Sequence, residues 1–398
     1  MSIASIGLSG IKTARLAAQT TAHNIANVNT PAYKREQLQI SAAQTGGVQA
    51  TNTVQIRDKH YAEPLARDAS TQLSQQSKTN TQLNTTLKTA QLFDLPTKIQ
   101  SIAHESLPQI ANDPTNIAPR KTFISQLDDL ASSYNQLDSQ LSKQLGTVNT
   151  ELDQLHTQLE NTLTAIADNN TPGNHMDQMI EQVAELTQIT IETRGSAVDI
   201  YTNPNHYPLV VGDRAQVPID PDNLHGGGIQ ALTDSVQTIQ QTQNQLRQNM
   251  NDLVDQVNTQ HEAGYDLNGD PGQPILEFDG RTVTVLIDDP QQVAASADDQ
   301  SIGDNQNIQP LIDQVSASAA PFVNWTIDMA NTVEASNNTL ALAQTLHDSA
   351  QEQIQSLSGV NLDQEAADLI KWQQLYSANA QVIDTASIMF DTILSLRN

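Results

Sequence analysis

NIANVNTPAYKR, residues 24–35, stops a helix that the preceding residues would otherwise continue. Upstream, Ile11, Ala14, Ala18, Thr21 and Ile25 follow one another at 3,4 spacing, and Ala4 and Gly7 carry the line backwards. That period predicts a helix over residues 2–26. Its seam of small side chains permits close approach of a partner helix but buries little area, so the helix alone is marginal in water. Asn24, Asn27 and Asn29 are poor interior residues and good turn formers, and Pro31 pushes Thr30 towards an extended backbone. Tyr33, Lys34 and Arg35 then open a strand-like arm able to reach a neighbouring copy.

Outward from the break the text is polar to Tyr61, with Gly46-Gly47 as a loop signal. A second helix is predicted over Ala69 to Phe93 with Leu73, Leu83 and Leu87 on one face, followed by punctuation at Pro96, Pro108, Pro114 and Pro119. The clearest pattern comes next: Leu127, Leu130, Tyr134, Leu137 and Leu141, then Leu145, Val148, Leu152, Leu155 and Leu159, with one 4,4 step at Leu141–Leu145 that reads as a stutter. Residues 189–225 carry short β-branched runs between turn signals, which describes a small antiparallel sheet of hairpins. The helical period resumes through Leu232, Val236, Ile239, Gln243, Leu246, Met250, Leu253 and Val257. A loop, a strand over 281–287 and a polar linker lead to the last hundred residues, which hold two further stripes divided at Gly359.

These readings predict a mainly α protein with a small β portion, in which N- and C-terminal helices pair into a long antiparallel bundle and a β-rich middle is displayed outward. The expected divisions are an assembly helix and arm (1–60), a long bundle part (61–188), a β subdomain (189–228), a bundle helix (229–263), a loop and strand region (264–325) and terminal helices (326–398).

Of the 398 residues only 37% are hydrophobic and 4% aromatic, which suits narrow helical bundles better than an enzyme with a deep pocket. The net charge of −26 is uneven: residues 1–121 hold 12 basic against 7 acidic side chains, and the remainder 7 against 38. Such an excess argues against nucleic-acid binding, which needs a basic footprint. A solvated acidic surface is the plain reading; the sharper one sets the near-basic N-terminal part against acidic surface on another copy. Cysteine is absent, which excludes disulfides and thiolate ligands. No apolar run is long enough to insert in a membrane. Lys12 and Arg15 lie inside the first apolar segment, so no cleavable signal peptide is expected.

Chemical motifs are few. Ser9 to Lys12 matches Ser-x-x-Lys without its partner motifs, the nine histidines form no HxxxH pair, and His347 falls on a helical seam. DLNGDPGQPILE (266–277) sets Asp266, Asn268, Asp270 and Glu277 at positions 1, 3, 5 and 12 of an EF-hand-like calcium loop. Pro271, however, occupies position 6, where the sharp turn needs glycine, so a turn between elements is preferred. No catalytic residue and no cofactor is expected.

NIANVNTPAYKR resembles the N-terminal signature of bacterial flagellar axial proteins (rod, hook and hook-associated), and LSGVNLDQEAADLIKWQQLYSANAQVIDTASIMFDTILSL near the far end is similar to their C-terminal signature. The run Asn258, Thr259, Gln260, His261, Ala263, Gly264, Tyr265, Asp266, Asn268, Gly269 and Asp270 resembles the hook-associated branch in particular, as does Asn112-Asp113-Pro114. Met179 departs from an arginine expected in MDQMIEQV, and residues 275–325 are short for the family, which implies a reduced outer domain. The resemblance implies a structural, non-enzymatic protein that joins hook to filament, leaves through the flagellar type III apparatus and polymerises through its ends. Implied partners are further copies, hook protein, a second junction protein and an export chaperone at the C-terminal helix. Implied assembly residues are Ile11, Ala14, Ala18, Ile25, Asn27, Asn29, Pro31 and Tyr33 with Leu362, Leu369, Tyr376, Asn379, Ile383 and Phe390. Another axial protein, of hook or distal rod, and a coiled-coil adhesin or binding module remain as alternatives.

Overall fold

A computed structural model describes residues 2–30, 33–44, 46–58, 61–169, 174–194, 197–301 and 303–395. Helices dominate. In chain order they are α1 (Ile3–Ala26), α2 (Ala62–Phe93), α3 (Leu95–Ser101), α4 (Leu107–Asn112), α5 (Ile117–Asp168), α6 (Asn174–Leu186), α7 (Gly227–Glu262), α8 (Ile308–Ser358) and α9 (Leu362–Ser395). Strands β1 (Glu36–Ala42) and β2 (Val48–Gln55) form a hairpin. Strands β3 (Ile189–Arg194), β4 (Ala197–Thr202), β5 (Pro208–Val211) and β6 (Arg214–Ala215) form an antiparallel sheet in sequential order, and β7 (Leu276–Phe278) pairs with β8 (Val283–Val285). Between α3 and α4, Ile102–Ser106 form a π-helical turn. No helix of the described residues is long and apolar enough to cross a membrane.

The chain divides into two compact units. Residues 73–159 and 224–342 make one of them, a bundle of α2, α5, α7 and α8 with the short helices α3 and α4. Its core takes Phe123, Leu127, Leu130, Tyr134, Leu137 and Leu141 from α5 and Leu246, Met250, Leu253 and Val257 from α7. The stutter at Leu141–Leu145 marks where this core ends: Leu145, Val148, Leu152 and Leu155 join Leu232 and Ile239 in a separate, smaller cluster. There Gln144 donates to the Gln82 carbonyl (3.1 Å) and to Thr86 (3.0 Å), so polar contacts take over between α5 and α2. Within the seam of α7, Gln243 donates to Asp138 (3.0 Å), which also holds Arg247 at 2.8 Å.

Two expectations need correction. Helix α8 begins at Ile308 and carries Pro321 in its interior, so residues 308–325, placed in a loop and strand region, are helical. The text after Arg35 is not an open arm but the hairpin β1–β2, which folds back along α1, with the Val48 amide donating to Ser9 Oγ at 3.2 Å.

The end of α7 is tied down by polar side chains. Asn258 accepts from the amides of Ile275 (2.9 Å) and Leu276 (3.0 Å) and donates to the Leu276 carbonyl (2.7 Å). Asn135 on α5 makes the same two-way contact with the backbone of Val283, at 2.8 Å in each direction. His261 has no exposed surface; Nδ1 lies 2.6 Å from the Gln273 carbonyl and Nε2 accepts from the Ala294 amide at 2.9 Å. The ring is therefore neutral with its proton on Nδ1, and burial pushes its pKa down to about 4 from 6.5. A base whose folded pKa lies below its unfolded value contributes stability that is complete above the unfolded value and is lost as pH falls towards the folded one. The protection factor of the Ala294 amide, its exchange rate set against the intrinsic rate at the same pH, should accordingly stay high at pH 7 and fall as pH drops from 6.5 towards 4; a protection factor unchanged across that window would refute this account of the clasp.

Candidate assembly site at the chain termini

The other unit holds residues 1–72, 160–223 and 343–398, and in it α1 and α9 run antiparallel. The buried line on α1 is Gly7, Gly10, Thr13, Ala14, Ala17, Thr21 and Asn24, rotated by one residue from much of the expected seam. Gly7, Ala14 and Thr21 of the expected seam lie on it, whereas Ile11, Ala18 and Ile25 are half-buried at its edges. The rotation has a steric cause. A β-carbon on Gly10 would collide with the Asn379 side chain, and one on Gly7 would stand 2.8 Å from Ile383 Cγ1. The helices approach where side chains are smallest, and the branched isoleucines are set aside from the line of closest contact.

Asn24 closes this seam at the end of α1. Only 1% exposed, it donates to the Glu36 carbonyl (2.9 Å) and to Glu365 Oε2 (3.1 Å). Its Oδ1 accepts from Tyr33 Oη (2.8 Å) and from the Glu36 amide (2.9 Å). One side chain thus uses its full hydrogen-bonding capacity on the end of the helix break, the start of β1 and the first turn of α9. Glu365, also 1% exposed, receives Arg35 Nε at 2.5 Å, while Arg35 Nη2 reaches Asp368 at 3.1 Å and the Arg35 amide donates to the Ser358 carbonyl at 2.8 Å. Burial, then the charges of Glu36 and Glu365, push the Tyr33 hydroxyl up to about 12, which keeps it a donor to Asn24.

Beside this clasp lies a second buried network. Lys34 Nζ sits 3.0 Å from Glu63 and 3.4 Å from Asp177, and Arg57 bridges the same two carboxylates at 2.8 Å each. Burial opposes ionisation of Glu63, but hydrogen bonds from Arg57 and Lys34 outweigh it and hold the carboxyl down to about 2.

The remaining expected assembly residues fall into three groups. Asn379 and Ile383 meet the glycines of α1, and Leu369 is half-buried. Asn27 serves locally, donating to the His23 carbonyl (2.9 Å) and accepting from Thr30 (3.2 Å) at the helix end. Asn29, Leu362, Tyr376 and Phe390 are exposed, and Pro31 lies outside the described residues. Sequence reasoning missed Asn24, Arg35, Glu365 and Asp368 as a set. The available signal was charge: Lys34 and Arg35 close the N-terminal signature, and Asp363, Glu365 and Asp368 lie near the start of the C-terminal one.

The EF-hand-like candidates do not form a cage. Asp266 Oδ1 is taken by the amides of Asn268 (2.7 Å) and Asp270 (3.0 Å), and Oδ2 accepts from the Asn268 side chain (3.2 Å). Asp266 is buried as the anchor of a turn, while Asn268, Asp270 and Glu277 are exposed; among the described residues no three acidic or histidine side chains converge to hold a metal.

The family model described as the flagellar hook-associated protein FlgK helical domain matches residues 80–172 and 215–276, and that of the flagellar basal body rod FlgEFG protein C-terminal region matches 351–396. Flagellar hook-associated protein 1 of Escherichia coli K12 is 25% identical, with 98% of each chain covered. That of Salmonella typhimurium LT2 is 22% identical, over 98% of this chain and 99% of the relative. The first alignment runs to 550 positions for a chain of 398 residues, so the relative carries stretches without a counterpart here. The flagellar hook junction protein FlgK of Burkholderia pseudomallei superposes on 54% of this chain and 46% of its own with a TM-score of 0.48 at 20% identity.

Asn24→Ala should cost about 1–3 kcal/mol, because it leaves the Glu36 backbone groups and Tyr33 without their partner; denaturant titration of the variant against the natural chain measures it, and no loss of stability would contradict the clasp. Glu63, with a folded pKa near 2 against 4.5, contributes stability that is complete above 4.5 and drains away as pH falls towards 2. Glu63→Gln should flatten that part of the stability–pH curve, and an unchanged slope would count against the network.

Proposed function

We propose that this chain, which belongs to the flagellar hook-associated proteins, structural components of the flagellum and not enzymes, joins hook to filament by polymerising through α1 and α9. The observation that carries the reading is where large apolar side chains stay exposed. Ile3, Ile6, Leu8 and Leu16 on α1, and Ile370, Leu375, Val382, Ile388, Met389, Phe390, Ile393 and Leu394 on α9, are all at least 38% exposed. Concentrations of this kind mark interaction surfaces. On the α1 side the contact between the two helices is built largely from glycine, alanine and threonine, so it buries little, and further copies supply the burial that one chain lacks.

In this reading the chain is exported through the flagellar type III apparatus. Its neighbours are copies of itself, hook protein on one side and a second junction protein on the other, and an export chaperone covers the α9 face before assembly. Deleting the gene should leave hooks intact while flagellin escapes into the medium, and complementation by a chain lacking residues 362–398 should not restore filaments. Loss of the hooks themselves would instead assign the chain to the hook or rod.

A further inference from the structure

We propose that Asn268–Gly269 is a deamidation site that the folded loop after α7 holds shut, that Asp266 is the residue guarding it, and that conversion of Asn268 unfastens the loop. The inference is independent of how the chain assembles.

Asn-Gly is the dipeptide most open to this reaction, because glycine sets no side chain beside the attacking nitrogen. It occurs once in the 398 residues. The backbone demands glycine at the second position: Gly269 has φ +80°, and a β-carbon there would stand 3.0 Å from the Asp299 carbonyl oxygen. Asn268 is exposed, so water reaches it. In the reaction the Gly269 nitrogen gives its proton to solvent and bonds to Asn268 Cγ. The Cγ–Nδ2 bond then breaks, and ammonia leaves with a proton from water. A second water opens the succinimide ring at either carbonyl, giving aspartate or isoaspartate. The sum is amide plus water to carboxylate plus ammonium.

Asp266 restrains each participant. Its carbonyl accepts from the Gly269 amide, the nucleophile, at 3.2 Å. Its Oδ2 accepts from Asn268 Nδ2, the leaving group, at 3.2 Å. Its Oδ1 accepts from the amides of Asn268 (2.7 Å) and Asp270 (3.0 Å), so the backbone is pinned on both sides of the reacting peptide. The buried carboxylate also opposes the negative charge that develops on the Gly269 nitrogen as its proton leaves. The oxygen pattern that resembled a calcium loop thus has a chemical role without a cation.

Once converted, residue 268 presents a carboxylate where Nδ2 had donated to Asp266, and two like charges face each other. Isoaspartate adds a methylene to the main chain and breaks the turn as well. The neighbouring Tyr265 exchanges both backbone hydrogen bonds with Ser296, at 2.8 and 3.2 Å, so the loosening passes directly to the segment bearing Ala294 and the His261 clasp.

The test incubates the full chain at mildly alkaline pH and follows residue 268 by peptide mass spectrometry and isoaspartate methyltransferase labelling. Conversion should be about tenfold or more slower in the folded chain than in urea, because attack needs several of these hydrogen bonds broken together. Asp266→Asn keeps an oxygen for the two amides but loses the acceptor for Asn268 Nδ2, and should speed conversion about threefold or more in a chain that is folded by circular dichroism. Asn268→Asp, made genetically, should lower the hydrogen-exchange protection of the Tyr265 and Ser296 amides. Equal rates folded and in urea overturn the proposal, whether or not the Asp266 variant folds. A folded Asp266→Asn chain no faster than the natural one overturns the guarding role, and unchanged protection in Asn268→Asp overturns the unfastening.

Discussion

The fold of the chain ends turns on the side chain of Asn24. Its donors and acceptors reach Tyr33, the backbone of Glu36 and the carboxylate of Glu365. It sits in the last turns of α1, so the same residue ends the helix, starts β1 and receives α9. A primary amide is suited to this because it offers donors and an acceptor in one plane, as a strand backbone does. The apolar contact beside it is too thin to fix register by itself, since Gly7, Gly10, Ala14 and Ala17 bury little. Register is therefore set by hydrogen bonds and by Arg35 on Glu365, while the small residues set distance.

The same device recurs in the second unit. Asn258 pairs with the backbone of Leu276, and Asn135 pairs with that of Val283. Each asparagine projects from a long helix and binds a short strand as an additional strand would. With 4% aromatic residues the chain has few large side chains to lock loops onto helices. Buried amides, His261 and Arg120 take that work: Arg120, fully buried, donates to the carbonyls of Pro114 (2.8 Å) and Val293. Such fully satisfied polar contacts define one arrangement, because a loop displaced by one residue would leave several buried groups unpaired.

Legibility followed side-chain size. The α7 row from Leu232 to Val257 was readable because its large apolar residues keep a strict period and are the ones the core takes. The stutter at Leu141–Leu145 was readable too, and it falls where the main core gives way to a smaller cluster. On α1 the same reasoning chose Gly7, Ala14 and Thr21, which are buried, but also Ile11, Ala18 and Ile25, whose places are taken by Gly10, Ala17 and Asn24 one residue earlier, because helices in close contact select glycine and not isoleucine. Hydrophobic periodicity has no term for that preference. The loop at Asp266 failed as a metal site for a related reason: spacing shows which oxygens are near in sequence, not that backbone amides already occupy them.

By itself the sequence determined the long helices, the break after Asn24 and the charge contrast between the two ends, because these depend on neighbours a few residues apart. Tertiary structure alone decided that Asn24 would meet Glu365, 341 residues away, and that Lys34 and Arg57 would share Glu63 and Asp177. It also decided which face of α1 turns inward. Those choices depend on donor and acceptor geometry and on the closest approach of two backbones, quantities that no local pattern carries.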